Sequence, residues 1–144
     1  MKKLDELQII KRGNIFKHCF FTVLVLLMLY AAMLQLGVVL VQHQTGLILV
    51  ALFSVSQFII EMNLCDIYPL SEKRQRFLYY FIGLMGLFTV IVSAYGLVEG
   101  ETGFIEDDLL SSSGAEIIMG CMFLVVFLVY IAKRIYNRQK EEVS

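Results

Sequence analysis

The chain has 144 residues, of which 58% are hydrophobic and 17% charged, with a formal net charge of −1. An ordinary soluble domain carries about 45–50% apolar and about 25% charged residues. Here no Asp, Glu, Lys or Arg occurs from His18 to Ile60, a run with no wet face, which excludes a water-soluble globule and leaves an integral membrane protein.

In chain order, residues 1–14, MKKLDELQIIKRGN, form an N-terminal segment in which Leu4, Leu7 and Ile10 recur at helical spacing among charges. That pattern predicts a short interfacial helix ending near Gly13. The apolar run that follows starts near Ile15, exceeds 20 residues and lacks a small-x-small cleavage site. It therefore reads as a retained span over residues 15–41, not as a secretory leader. This exceeds the roughly 20 residues needed to cross the hydrocarbon layer, so tilt or an extra helical turn is expected. A short connection at 42–45 leads to a second span over 46–65.

On the second span Ser54, Gln57, Glu61 and Cys65 fall within an arc of about 80° at helical periodicity. Glu61 is the one acid well inside a predicted span, and a carboxylate at mid-bilayer costs several kcal/mol unless it is protonated, reaches the interface or finds a partner. Lys17 and His18 enter the first span at a matching depth, so an antiparallel hairpin predicts that Glu61 meets one of them. Ser54, Gln57, Glu61, Lys17 and His18 are the candidate intramembrane polar site. Its plain reading is a structural ion pair or a side chain reaching for the interface. Its sharper reading is a proton- or cation-linked site, and partner recognition is a third.

The loop at 66–76, DIYPLSEKRQR, holds the single proline and the cations Lys73, Arg74 and Arg76. Pro69 suits a turn, where its missing donor costs nothing, and Tyr68, Phe77, Tyr79 and Tyr80 suit interface anchors. The third span covers 77–98. Its Gly86, Thr89, Ser93, Gly96 and Gly100 share an arc of about 80°, and small residues let membrane helices approach closely. This stripe is the expected packing face, toward another helix of the same bundle or, as the alternative, toward a second copy. The fourth span covers 113–132; its uncharged stretch, Ile117 to Ala132, is flanked by Glu116 and Lys133, which must reach outward to the interfaces, and Ser113 and Glu116 have capping-box spacing. Residues 135–144 form a tail.

Charge placement gives the orientation. Of the 12 Lys and Arg residues, Lys2, Lys3, Lys11, Arg12 and Lys17 precede or open the first span, Lys73, Arg74 and Arg76 lie in the second connection, and Lys133, Arg134, Arg138 and Lys140 follow the last span. The other two connections have none, and the longer carries Glu99, Glu101, Glu106, Asp107, Asp108 and Glu116. Cytoplasmic loops are enriched in Lys and Arg. Both termini and the 66–76 loop are therefore expected in the cytoplasm, with residues 15–134 forming an all-α, four-helix transmembrane bundle.

Catalytic signatures are missing: there is no glycine-rich phosphate loop, zinc signature or nucleophile elbow. His18 and His43 fall on opposite sides of the expected membrane and build no metal set. Cys19, Cys65 and Cys121 sit in or beside apolar segments, where small packing residues are the expectation rather than an external disulfide framework. No cofactor, enzyme activity or specific nucleic-acid binding is expected. Topology alone explains the basic clusters; they can also attract anionic headgroups, and a docking surface for a cytoplasmic protein is the alternative reading of the 66–76 loop.

The early DELQ followed by KRGN and KH, with EMNLCDIYPLSEKRQR after the second span, resembles small four-span membrane proteins of Gram-positive bacteria grouped as a domain of unknown function. The resemblance implies a bacterial cytoplasmic membrane and an all-helical bundle, and it assigns no catalytic residue. The function expected from these readings is a non-catalytic accessory or regulatory membrane component. It would act through helix packing and a basic cytoplasmic face, with the lipid bilayer and a membrane or cytoplasmic protein as partners. The alternative is a small oligomeric transporter or channel subunit with Glu61 as its linked site.

Overall fold

The computed structural model describes residues 6–65, 67, 72–99, 103–106 and 109–143. Four helices are present: α1 Glu6–Gln35, α2 His43–Leu64, α3 Glu72–Glu99 and α4 Ser112–Val143. All are long and apolar enough to cross a membrane, and the chain is an all-helical transmembrane bundle. A two-residue β pair, β1 Ile105–Glu106 with β2 Leu109–Leu110, interrupts the connection between α3 and α4.

Several boundaries differ from the sequence reading, each for a local reason. The expected interfacial helix at 1–14 is no separate element: α1 runs without a break from Glu6 through Gly13. One glycine costs a helix only about 1 kcal/mol, too little to stop it where apolar periodicity continues into the span. Conversely, α1 ends at Gln35 and not at residue 41. Gly37 adopts φ 73°, its N–H donates to the Leu34 carbonyl at 3.1 Å, and the Val38 N–H donates to the Met33 carbonyl at 3.0 Å. These two bonds are the Schellman closure, which satisfies the last carbonyls through a left-handed residue that only glycine adopts without strain. The connection therefore spans 36–42, and His43 already belongs to α2.

At the start of α4 the cap is Ser111, not Ser113. The Gly114 N–H donates to Ser111 Oγ at 3.1 Å, and Glu116 is engaged elsewhere. Lys73, Arg74 and Arg76 are helical residues in the first turns of α3, not loop residues. The expected turn at Pro69 lies outside the described residues. At the other terminus α4 continues as helix through most of the expected tail.

Helix α1 packs on α2, α2 on α4, and α4 on α3, so α1 lies at the periphery. It buries only Ile15. Neighbours in sequence run antiparallel: His18 meets Glu61 while Tyr30 meets His43, and Tyr80 meets Arg134 while Ser93 meets Glu116. As a result every described Lys and Arg lies at one end of the bundle. Two apolar clusters sit toward that end. One joins Ile15, Met62 and Ile67 with Phe58 beside them. The other joins Tyr79, Val126 and Tyr130, flanked by Ile59, Ile60, Ile82 and Ile131. Rings of Tyr79 and Tyr130 stack with centroids 4.3 Å apart. At the opposite end the hairpin is clipped to the first connection by the Leu110 N–H, which donates to the Leu40 carbonyl at 2.8 Å.

Candidate functional site

The α1–α2 hairpin brings Glu61 to His18. Glu61 Oε2 lies 3.4 Å from His18 Nδ1, and Oε1 accepts a 2.9 Å hydrogen bond from Gln57 Nε2 one turn earlier on α2. Both carboxylate oxygens are thus engaged, one within its own helix and one across to α1. The two side chains differ in setting: Glu61 keeps 26% of its side-chain surface exposed and His18 keeps 66%. Lys17 is exposed and is not the partner. Of the two residues expected to meet Glu61, the histidine does so because helical rotation places it one position further round α1, toward α2.

The remaining members of the α2 stripe are chemically occupied. Ser54 is almost fully buried, and its hydroxyl donates to the Val50 carbonyl at 2.9 Å, a bond within the helix that lets a hydroxyl sit in hydrocarbon without a partner from another helix. Its backbone carbonyl accepts the Cys19 thiol at 3.6 Å. Cys65 is exposed at the helix end, and all three cysteines are free. Beside this join, Phe16, Cys19, Phe20, Val55 and Phe58 line an open apolar groove of about 260 Å³. Glu61 is not among its walls. Among the described residues no three His, Cys, Asp or Glu side chains converge.

A second polar join closes the far end of α3 and α4. Buried Ser93 donates to Glu116 Oε2 at 2.7 Å. Of the expected packing face, Gly86 and Ser93 do meet α4. A Cβ built on Gly86 would lie 2.9 Å from the Gly120 carbonyl and 2.9 Å from Phe123 Cβ; one on Gly120 would lie 3.0 Å from the Gly86 carbonyl. The two backbones therefore touch at a reciprocal glycine pair. Thr89 is half-buried and turns its hydroxyl back to the Met85 carbonyl at 2.9 Å. Gly96 is half-buried, and Gly100 lies outside the described residues. The face is better traced by Tyr79, Gly83, Gly86, Val90 and Ser93, because Gly83 receives the Phe127 ring.

A third join has no counterpart in the sequence reading. Lys133 Nζ donates to the backbone carbonyls of Asn63 and, at 2.8 Å, of Leu64. These carbonyls belong to the last turn of α2, where the helix dipole favours a cation. One residue on, Arg134 Nη1 donates to Tyr80 Oη at 3.0 Å. Both cations follow the apolar run Ile117 to Ala132 directly, so charge position hinted at interfacial depth but not at partners.

Comparison of the chain with protein-family models, with curated proteins and with solved structures finds no match.

Proposed function

We propose that this chain is a non-catalytic accessory or regulatory component of a bacterial cytoplasmic membrane, with both termini in the cytoplasm. The observation that carries this reading is how polar groups are used. His18 with Glu61, Ser93 with Glu116, and Lys133 with the α2 carbonyls each join one helix to another, while Ser54 and Thr89 satisfy their own helices. Intramembrane polar groups deployed this way hold a bundle together. A conduction path instead needs several of them lining one continuous route.

The orientation rests on segregation of the cations. Lysines and arginines of all three basic segments gather at one end of the bundle, and that end is assigned to the cytoplasm because such residues resist translocation. The accessory role predicts that affinity capture of the tagged chain from native membranes recovers a reproducible protein partner.

One observation favours a second reading, a small oligomeric transporter or channel subunit. Glu61 is an acid inside an apolar span, and its contact is a histidine that remains largely exposed. Intramembrane carboxylates of this kind mark proton and cation pathways. Purified protein in liposomes, tested for proton or monovalent cation flux with and without Glu61→Gln, decides between the two. Flux that the substitution abolishes at unchanged stability overturns the accessory reading.

A further inference from the structure

We propose that the seam between the first turns of α3 and the last turns of α4 is a binding site for the phosphodiester headgroup of an anionic phospholipid. The inference goes beyond the functional reading above and stands whether the chain is an accessory protein or a transport subunit. It needs only that the basic end of the bundle lies at headgroup level.

Helical spacing assembles the site. On α3, Lys73, Phe77 and Tyr80 lie within an arc of about 60° at 100° per residue. On α4, Phe127, Arg134 and Arg138 fall within an arc of about 40°. Tyr80 registers the two faces on each other. Its ring meets Phe127 edge-on with centroids 5.6 Å apart, and its hydroxyl accepts the 3.0 Å bond from Arg134. Lys73 stands two turns before Tyr80 on α3 and Arg138 one turn after Arg134 on α4, so both lie beyond Arg134 toward the basic end of this seam, and both are exposed.

Three features point to an anionic lipid in preference to another ligand. First, the Arg134 guanidinium is planar and offers five donors, of which the bond to Tyr80 uses one and fixes its direction; the rest suit bidentate contact with phosphate oxygens. Second, the seam sits at the depth where a headgroup lies, since Arg134 follows the last apolar residues of α4 after Lys133 alone. Third, the cations stand over an aromatic ledge. Phe77 is 73% exposed and Tyr80 47%, and the ledge continues into exposed Phe81 and Leu84. A free phosphate has no use for that surface, whereas the glycerol and upper acyl carbons of a lipid bury against it. Lys133, turned to the α2 carbonyls, belongs to the bundle and not to this site.

The test compares retention of phosphatidylglycerol with that of phosphatidylcholine by the intact chain, using native mass spectrometry from mixed micelles. Lys73→Gln with Arg138→Gln removes two exposed cations and leaves the helix joins intact. Lys11→Gln with Arg74→Gln removes the same charge from exposed positions at the same end. The site predicts that phosphatidylglycerol is retained over phosphatidylcholine, and that the first pair weakens this roughly tenfold or more. The second pair should leave it unchanged. Tyr80→Phe, which releases Arg134, should weaken retention with no change in charge. Equal losses in both double variants would mean diffuse attraction and would overturn the site. So would equal retention of the two lipids, or full displacement by inorganic phosphate.

Discussion

Two side chains do work that composition could not assign. Glu61 accepts from Gln57 and faces His18, so Glu61→Gln leaves one acceptor oxygen and sets a new amide donor against existing donors. The expected result is a loss of about 1–2 kcal/mol, read as a lower unfolding midpoint in detergent with no change in oligomeric state. His18→Ala should cost less, because the imidazole is two-thirds solvent- or lipid-facing. Lys133 is the more demanding case. Lys133→Met strips a cation from two carbonyls at the end of α2, and hydrogen bonds to charged groups are worth about 1.5–3 kcal/mol. We expect a loss in that range, partly restored by Lys133→Arg, measured by the same melts. The pairing of Glu61 was legible in the sequence because an acid inside a span demands a partner and an antiparallel hairpin offers few. The role of Lys133 was not, since its acceptors are backbone carbonyls 69 and 70 positions away, and every residue has a carbonyl.

Among the elements, the spans were readable and their ends were not. Uninterrupted apolar runs marked all four helices. What displaced the ends was hydrogen-bond chemistry at single residues: Gly37 stops α1 early within a run that stays apolar, and Ser111 caps α4 in place of Ser113. Ser111→Ala is therefore expected to destabilise the protein by about 0.5–2 kcal/mol, while Ser113→Ala has a smaller effect on the same melts. The α3 face was found in part, as small residues at helical spacing reveal a contact side but not its register. Gly86 and Ser93 were identified, Gly83 was missed, and its signal was the GxxG spacing with Gly86. The partner Gly120 could have been sought as the complementary gap on α4. Gly86→Ala places a methyl group 2.9 Å from a backbone oxygen, which no rotamer change relieves. The α3–α4 pair should part and lose about 1–3 kcal/mol, whereas the same substitution at Gly13, which has open space around it, costs nothing through packing.

At the scale of the whole molecule, three basic segments distant in the chain gather at one end because four helices alternate in direction. The proposed sidedness makes a direct forecast. With native cysteines replaced, a cysteine at position 44 (Gln44→Cys) should react with a membrane-impermeant maleimide on intact cells, and one at position 137 (Asn137→Cys) should react only after permeabilisation. Gel-shift labelling of the pair checks the assignment, and the reverse pattern refutes it. The packing order α1, α2, α4, α3 also bears on how the protein is made. The last carbonyls of α2 are met by an amine that leaves the ribosome some seventy residues later. Until then, the last turn of α2 lacks the cation that its dipole favours. A nascent chain truncated before Lys133 would never gain that clasp, so the end of α2 should be held less firmly in it than in the full-length protein.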